Sequence, residues 1–217
     1  MARKKSVALA GGSGLVGGEA LRMLLADASV AHVVAILRRP LEGSIAGDPK
    51  LEQHVVDFDK LAKRPPPRDV DAVVCALGTT IKVAGSQEAF RRVDYDYPLA
   101  LARLGLAAGA KQFVLVSALG ANAKSPVFYN RVKGELEDAV RSLGYASVAI
   151  VRPSLLLGAR REFRLGEEIA KRFGFLAPGK YRPVEARAVA NALVTAVREQ
   201  QPGVRVIESD EIRELAR

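Results

Sequence analysis

The sequence predicts an α/β protein built on a doubly wound parallel sheet with a small C-terminal lobe. Short apolar segments rich in β-branched residues alternate with segments whose apolar residues recur at helical spacing. A glycine-rich turn joins the first apolar segment to the first helical one, and the alternation changes after Pro153, where the lobe begins. Strands that are apolar along their whole length, with helices between them, indicate a parallel sheet covered on both faces.

The predicted elements follow one another in a regular order. Ser6–Ala10 is the first strand, and the spacing over Leu15–Leu25 is helical. Two longer helices, each followed by a glycine, are predicted at Gln87–Ala108 and Asn130–Leu143. The other strands expected in the sheet are Val30–Leu37, His54–Asp57, Ala72–Leu77, Gln112–Ser117 and Ser147–Val151.

The C-terminal lobe, from roughly residue 153 to residue 217, is not separated from the rest by a clear linker. We therefore expect a single domain over residues 1–217, with the lobe integrated on the substrate side. Ser209 is expected to cap a last short helix with two acidic residues in its first turn. The other elements predicted in the lobe are helices at Leu165–Phe173 and Glu185–Glu199 and a strand at Val204–Glu208.

The composition, 49% apolar and 26% charged over 217 residues, is typical of a globular protein. No apolar run reaches the roughly 18 residues of a membrane span, and the apolar stretch after the basic start is too short for a secretory signal. The single cysteine, Cys75, excludes an intrachain disulfide and fits a reducing cytoplasm. We therefore expect a cytoplasmic protein without a membrane span.

The net charge of +9 raises the question of a nucleic-acid partner. The basic residues are spread along the chain, and no basic run alternates with aromatic side chains. We therefore expect no nucleic-acid partner, and we interpret the charge as a basic surface that attracts a phosphate-bearing cofactor.

Gly11, Gly14 and Gly17 follow the first strand with the spacing G-x-x-G-x-x-G. Such a turn lets the backbone approach a pyrophosphate, and the helix after it offers free N–H groups and the positive end of its dipole. With a strand before it and a helix after it, the loop predicts a dinucleotide site in a Rossmann-like fold; the alternative is a structural turn without a ligand. The neighbouring residues expected to contact the cofactor are Ser13, Leu15 and Val16.

The second strand ends in Arg38-Arg39, where a cofactor without a 2′-phosphate usually meets an acidic residue. An arginine can pair with a 2′-phosphate, so we predict NADP(H) in preference to NAD(H); the alternative is two solvated arginines. Asp57 and Phe58, after the third strand, are predicted beside the adenine, with loop capping as the alternative for Asp57. No metal site is predicted.

Tyr129 and Lys133 are four residues apart and therefore share one face of a helix. An ammonium beside a phenol favours the phenolate and lowers the pKa of the tyrosine from its ordinary value of about 10. Such a tyrosine can exchange a proton with an alcohol or carbonyl oxygen, and Ser117, twelve residues upstream, can hold the same oxygen. These three residues are the candidate catalytic group.

The glycine loop, Ser117 on the fifth strand, the Tyr-x-x-x-Lys pair and Arg152-Pro153 after the sixth strand resemble the short-chain dehydrogenases/reductases. The loop spelling and the Arg-Pro step are similar to the extended and atypical branches, which include nucleotide-sugar epimerases. From about Val7 to about Ala190, four further segments resemble the Tat-interacting-protein-like oxidoreductases: Leu77-Gly78-Thr79-Thr80, and residues 90–97 (FRRVDYDY), 132–137 (VKGELE) and 152–158 (RPSLLLG).

The resemblance implies that Tyr129 is the acid/base, that Lys133 lowers its pKa and binds the nicotinamide ribose, and that Ser117 orients the substrate oxygen. It also implies that the residues after the fourth and sixth strands line the cofactor, and these are Leu77, Gly78, Thr79, Arg152 and Pro153.

Two positions depart from the family pattern. The Asn-Ala-Gly motif after the fourth strand is replaced by Leu77-Gly78-Thr79-Thr80, and Asp94 occupies the position of an assisting asparagine in many relatives. Either change can alter the proton relay. The lobe is shorter than in nucleotide-sugar epimerases, which argues against a large nucleotide-sugar substrate.

The candidate substrate contacts lie mostly after the sixth strand and are Asp94, Ser154, Leu155 and Arg160. Candidate apolar walls are Phe163, Phe173, Phe175 and Leu176, and candidate contacts to an acidic group are Arg160, Arg161, Arg164 and Arg182. The alternative for each of them is core packing or a surface charge.

We predict an NADP(H)-dependent oxidoreductase that transfers hydride to or from a small carbonyl or alcohol substrate. Two alternatives stay open: an NADPH-binding regulatory or scaffold protein without turnover, and an epimerase or isomerase that retains its nicotinamide. The presence of both Tyr129 and Lys133 favours the enzyme. A homodimer through the helices at Gln87–Ala108 and Asn130–Leu143, and a monomer, are both left open.

Overall fold

The computed structural model describes residues 3–65, 67, 69–157 and 181–217. Its strands are β1 (Lys5–Ala10), β2 (Val30–Leu37), β3 (Leu51–Val55), β4 (Ala72–Cys75), β5 (Gln112–Val116), β6 (Ser147–Arg152), β7 (Leu156–Leu157), β8 (Val184–Glu185) and β9 (Gly203–Glu208). Its α-helices are α1 (Leu15–Ala26), α2 (Ile81–Ala84), α3 (Gln87–Arg91), α4 (Tyr97–Ala107), α5 (Phe128–Arg141), α6 (Ala186–Glu199) and α7 (Ser209–Glu214). The remaining described helical segments are 3-10 helices at Ser44–Gly47 and Phe58–Lys63 and a π turn at Arg92–Asp96.

Seven of the described strands form one sheet in the order β3-β2-β1-β4-β5-β6-β9. Every neighbouring pair in this sheet is parallel. The short strands β7 and β8 form a separate parallel pair. In the sheet, β2 lies on one side of β1 and β4 lies on the other, so the strand order reverses between β1 and β4. A crevice opens at the carboxyl ends of strands where the order reverses. The predicted doubly wound parallel sheet is confirmed.

Alternate side chains of β1 face opposite layers of helices. Val7 and Leu9 are buried in a core shared with α1 and α6, whereas Ala8 and Ala10 are buried in a core shared with α4 and α5. Burial on both faces explains why the inner strands are apolar along their whole length. Because β9 extends the sheet beside β6, the C-terminal part of the chain joins the same layers.

The stretch predicted as one helix at Gln87–Ala108 consists of α3, the π turn and α4. Pro98, in the first turn of α4, has no N–H to donate to the carbonyl four residues earlier. The N–H of Tyr97 reaches back five residues to the carbonyl of Arg92, which widens the helix into a π turn. This turn directs Asp94 into the protein, where its side chain is 1% exposed.

The predicted bounds of the third strand, His54–Asp57, are wrong, since the strand is Leu51–Val55. This strand lies at the edge of the sheet and none of its side chains is fully buried. It therefore lacks the apolar run that marks the inner strands, and the sequence signal for it is weak.

The prediction that Ser209 caps the last helix is also wrong. Ser209 is the first residue of α7, the cap position is Glu208, and the Ser209 hydroxyl donates to the hydroxyl of Ser154 at 2.9 Å. The helix predicted at Leu165–Phe173 lies outside the described residues.

Of the helices that the structure describes, none is both long and apolar enough to cross a membrane.

Candidate active site

The glycine loop makes its closest contacts at its first and last glycines. Gly11 has a φ of +91° and packs so tightly on the end of β4 that a Cβ there would overlap the backbone of Ala76. Gly17, in the first turn of α1, packs on the loop, where a Cβ would overlap the carbonyl of Gly11. The N–H of Gly14 donates to the same carbonyl at 2.8 Å. These contacts bring the start of α1 against the ends of β1 and β4.

The N-terminus of α1 is suited to a phosphate group. Gly14 occupies the cap position, and among the described residues no side chain caps the helix. The first turn carries no acidic residue, so the free N–H groups and the helix dipole can both stabilise an anion. The loop therefore fits the pyrophosphate of a dinucleotide, with Leu15 and Val16 at the wall of the adjoining cavity.

A cavity of about 700 Å³ extends from the start of α1 to Tyr129 and Lys133. The predicted site residues that line it are Gly14, Leu15, Val16, Leu77, Gly78, Thr79, Asp94, Ser117, Tyr129, Lys133, Pro153, Ser154 and Leu155. The sequence analysis missed further lining residues, among them Thr80, Ile81, Val83, Leu119 and Tyr181. Thr80 directly follows the motif Leu77-Gly78-Thr79, and Ile81 and Val83 lie on α2 just after it. Their closeness to the motif in the sequence is the signal that could have identified them as lining residues.

Tyr129 and Lys133 project into the cavity from one face of α5. The ring of Tyr129 packs on Phe90, with ring centroids 5.4 Å apart. The Nζ atom of Lys133 lies 2.8 Å from Oδ1 of Asp94, and the two side chains are 4% and 1% exposed. The second carboxylate oxygen of Asp94 accepts the backbone N–H of Thr79 at 2.9 Å. Asp94 thus connects α5 to the loop after β4, and its contact with substrate stays a prediction.

The pKa of Tyr129 is raised, so the prediction of a lowered value is wrong for this structure. Burial of the phenol raises the pKa most, the Lys133 ammonium lowers it, and the Asp94 carboxylate raises it again. The pKa of Lys133 is also raised: burial alone would lower it, but the Asp94 carboxylate and Tyr129 outweigh burial. The lowered pKa was predicted from the Lys133 ammonium alone, without the Asp94 carboxylate that is in contact with it.

Ser117 lies at the cavity, but its hydroxyl donates to Oε1 of Glu137 at 2.5 Å. Arg152 donates to both oxygens of Glu137, from Nε at 2.9 Å and from Nη2 at 2.5 Å, and from Nη1 to Glu208 at 3.0 Å. The hydrogen bonds to Glu137 are the main cause of the raised pKa of Arg152. The guanidinium predicted beside the nicotinamide is thus bound by two carboxylates, and its contact with the cofactor stays a prediction.

Glu137 is a functional candidate that the sequence analysis missed. Its side chain is 1% exposed, and it fixes the direction of the Ser117 hydroxyl. Glu137 follows Lys133 by four residues, as Lys133 follows Tyr129, so the three side chains lie on one face of α5. This i, i+4, i+8 spacing is the signal that would have identified it.

Arg38 and Arg39 follow the end of β2 and are exposed. Neither has a hydrogen bond or an ion pair with any of the residues that the structure describes. The end of β2 adjoins the glycine loop, since a Cβ on Gly12 would lie 3.8 Å from Cδ2 of Leu37. Two unpaired cations therefore stand near the loop that fits a dinucleotide.

Asp57 and Phe58 have structural roles. Asp57 caps the 3-10 helix by accepting the N–H of Asp59 at 3.0 Å, and its ion pair with Lys60 spans 3.2 Å. The pKa of Asp57 is lowered, chiefly by its hydrogen bond with Lys60. Phe58 is buried with its ring centroid 5.5 Å from that of Tyr97. The capping role left open for Asp57 is confirmed, and contact of either residue with adenine stays a prediction.

The predicted substrate contacts are described only in part. Ser154 and Leu155 lie at the cavity, and the Ser154 hydroxyl donates to the carbonyl of Arg182. The other predicted pocket residues lie outside the described ranges, and these are Arg160, Arg161, Phe163, Arg164, Phe173, Phe175 and Leu176.

Comparison with known proteins identifies relatives along most of the chain. A family model described as NAD(P)H-binding matches residues 11–200. Protein HTATIP2 of Rattus norvegicus is 38% identical over 197 residues, which are 90% of this chain and 79% of that protein. The mitochondrial protein fmp52 of Emericella nidulans is 39% identical over 175 residues, which are 77% of this chain and 74% of that protein.

The fold is shared with solved structures of lower identity. The UDP-N-acetylglucosamine 4-epimerase from Methanobrevibacter ruminantium M1 superposes with a TM-score of 0.71 at 16% identity, covering 95% of this chain and 77% of that chain. MoeE5 in complex with UDP-glucose and NAD superposes with a TM-score of 0.69 at 16% identity, covering 95% and 79%. At these identities the likeness shows the Rossmann-like fold alone.

The expected cytoplasmic location is wrong. The FMP52 relatives from Emericella nidulans, Lodderomyces elongisporus, Candida albicans and Aspergillus niger are all named mitochondrial. The expectation rested on Cys75, which is buried and unpaired. A single buried thiol shows that no disulfide is needed, and it does not distinguish one reducing compartment from another.

The Gly17 contact predicts a matched pair of variants. Gly17→Ala should weaken NADPH binding and destabilise the protein by about 1–3 kcal/mol, because the new methyl forces the loop backbone to move. Gly18→Ala is the control: its Cβ would lie 3.5 Å from the nearest atom, and alanine is favoured over glycine inside a helix by about 1 kcal/mol. Thermal unfolding and fluorescence titration with NADPH measure both effects. Equal NADPH affinities for the two variants would contradict the role assigned to Gly17.

The Glu137 network predicts a second pair. Arg152→Met should lower the free energy of unfolding by about 3 kcal/mol or more, because it leaves Glu137 buried without its main partner. Arg141→Met should cost about 1 kcal/mol or less, since Arg141 is 36% exposed and lies 3.3 Å from Glu137. Urea denaturation measures both, and equal losses would show that Arg152 has no special role.

Proposed function

The chain belongs to the NAD(P)H-binding family and, within it, to the group of HTATIP2 and FMP52 proteins, and on this premise we propose that it is an NADP(H)-dependent oxidoreductase of small carbonyl or alcohol substrates. One observation carries the proposal: a single cavity joins a loop that fits a pyrophosphate to a half-buried tyrosine and the buried lysine beside it. A redox cofactor and a proton-transfer group are the two components that carbonyl reduction requires.

The cofactor supplies hydride when bound, and the protein supplies its placement. The N–H groups at the start of α1 would hold the pyrophosphate. Leu77, Gly78 and Thr79, which follow β4 along the cavity wall, would line the cofactor beyond the loop. Gly78, which has no side chain, places this wall directly beside the ion pair, since a Cβ there would lie 3.5 Å from Oδ1 of Asp94 and 3.9 Å from Nζ of Lys133.

Tyr129 is the proposed acid/base, acting at its phenol oxygen. The phenol lies at the cavity, and Lys133 and Asp94 are the charged groups that act on it among the described residues. A proton held there can be passed to a carbonyl oxygen in reduction or taken from an alcohol in oxidation.

Ser117 is proposed to act as a hydrogen-bond acceptor that orients the hydroxyl of an alcohol substrate or of Tyr129. Its proton is used in the bond to Glu137, so its lone pairs are available on the cavity side. An acceptor at this position can receive the hydroxyl of an alcohol or of Tyr129. This role differs from the predicted stabilisation of a developing negative charge, because the Ser117 hydroxyl already donates its hydrogen bond to Glu137.

The exposed Arg38 and Arg39 support a preference for NADP(H). Both stand after β2, next to the glycine loop, and neither is paired with a described residue. An unpaired guanidinium can bind a 2′-phosphate through two parallel hydrogen bonds. The same position carries no carboxylate that would bind the ribose hydroxyls of NAD(H).

Replacement of the acid/base tests the proposal directly. Tyr129→Phe should reduce NADPH-dependent turnover of aldehydes and ketones by about 100-fold or more, because general acid catalysis is lost, with little change in NADPH affinity. Tyr95→Phe is the control, since its ring packs on Arg91 and not on the cavity. Absorbance of NADPH follows turnover, and fluorescence titration gives affinity. Turnover that survives in Tyr129→Phe would refute the assignment, and NADPH binding without turnover in the wild type would favour a regulator.

Cofactor preference has its own test. Arg38→Ala should weaken NADPH binding by about tenfold or more while changing NADH binding little, because only NADPH carries the phosphate that the guanidinium binds. Arg22→Ala, which removes an exposed arginine paired with Glu19 on α1, controls for the loss of one positive charge. Isothermal titration with both cofactors measures the ratio. Equal losses for NADPH and NADH in Arg38→Ala would overturn the preference.

A further inference from the structure

We propose that Asp94 is a positioning residue that holds Lys133 through a buried ion pair and offsets the charge of the ammonium beside Tyr129, so that the phenol acts as the donor to a carbonyl oxygen. This inference rests on the proposed oxidoreductase function and deepens it, because it gives the direction in which the site transfers a proton at neutral pH. Asp94 would act through Lys133 and would not contact the reacting atoms.

The ion pair is the first observation. Lys133 and Asp94 are 4% and 1% exposed, and their charged atoms are 2.8 Å apart. An ammonium buried to this degree is costly unless an opposite charge is in contact with it. The second oxygen of Asp94 is fixed by the N–H of Thr79 at 2.9 Å, so the carboxylate cannot turn away from Lys133 without losing that bond. The pair is therefore held in one geometry at the cavity wall.

The charge balance around Tyr129 is the second observation. An ammonium alone would stabilise the phenolate, but a carboxylate in contact with the ammonium cancels most of its field. The other titratable group close to the pair among the described residues is the Cys75 thiol of β4, and burial raises its pKa to about 12, so it is neutral. The raised pKa of the phenol, caused first by burial, agrees with this balance. Tyr129 is thus a proton donor at neutral pH.

The backbone supplies the third observation. Asp94 lies in the π turn, and such turns are frequent at functional sites because they re-aim a side chain within a helix. Asp96, two residues later in the same turn, is exposed. Two carboxylates that are two residues apart in the chain therefore point in different directions. Asp94 faces Lys133, and Asp96 faces solvent.

The protonation of Tyr129 can be measured without turnover. The full chain labelled with ¹³Cζ-tyrosine contains five tyrosines, and Tyr129→Phe assigns the relevant resonance. In the wild type the Tyr129 resonance should titrate above the ordinary value of about pH 10. In Asp94→Asn the midpoint should fall by about one to three pH units while Lys133 keeps its charge, because the ammonium then acts on the phenol without its counter-charge. Labelling with ¹⁵Nζ-lysine reports the charge of Lys133 in the same sample. The amide oxygen still accepts the Thr79 N–H, so the loop is retained.

Asp96→Asn is the matched control, since it removes the same charge from the same turn without contact to Lys133, and it should leave the midpoint unchanged. Should Asp94→Asn fail to fold by circular dichroism, Asp94→Ser, which also removes the charge, replaces it in the same titration. An unchanged or higher midpoint in a folded neutral variant whose Lys133 is still charged would overturn the proposal. An equal fall in Asp96→Asn would do so as well. A Lys133 that becomes neutral in the Asp94 variant would support the proposal, because Asp94 is then the group that holds the ammonium in place.

A kinetic experiment separates this inference from the proposed function. For carbonyl reduction by NADPH, the alkaline limb of the pH–rate profile should move to lower pH in Asp94→Asn by the same shift as the Tyr129 resonance. A limb that stays in place while the resonance moves would show that Tyr129 is not the proton donor, and so would count against the proposed function. A resonance that stays in place would count against Asp94 alone.

Discussion

The sheet is parallel throughout, and this constraint decides where the site can be. Parallel strands place their carboxyl ends along one edge, and four segments of the cavity wall follow such an end: the glycine loop after β1, Leu77 after β4, Ser117 after β5 and Pro153 after β6. The helices that return the chain lie on the two faces and bury the strands from both sides. Among these helices, α5 follows β5 and carries Tyr129 and Lys133 back to the same edge. The site is thus a consequence of strand direction combined with the placement of one helix.

Buried charge distinguishes this site from a simple apolar cleft. Two carboxylates, Asp94 and Glu137, are each 1% exposed, and each is in contact with a cation. Such pairs contribute little net stability, because the cost of removing the ions from water offsets their attraction. Their value lies in geometry: Asp94 fixes Lys133 relative to the loop after β4, and Glu137 fixes the hydroxyl of Ser117. The polar groups at the cavity are therefore held in place before any ligand arrives.

Local patterns predicted most of the fold. The inner strands and the helices α1, α5 and α6 lie within a few residues of their predicted positions, because full burial gives these segments a strong periodic signal. The failures occurred where the local signal was weak or misleading. The edge strand β3 has no apolar run, and the helix over residues 87–108 contains a π turn that its unbroken apolar spacing does not reveal. For the site, the Tyr-x-x-x-Lys spacing located the pair, but the direction of the tyrosine's pKa shift was wrong because Asp94 was not known to face Lys133.

By itself the sequence determined the order of strands and helices, the position of the dinucleotide loop and the membership of an NAD(P)H-binding family. These follow from local rules, namely side-chain periodicity, the φ angles open to glycine and the spacing of residues on one helix face. Only the tertiary structure decided which charges meet. Arg152 and Glu208 are 56 residues apart in the chain, yet Nη1 of the arginine lies 3.0 Å from Oε1 of the glutamate. Electrostatic energy depends on distance through space and on burial, and neither is a property of a short segment, so the partners of the buried charges and the protonation of Tyr129 appear only once the chain has folded.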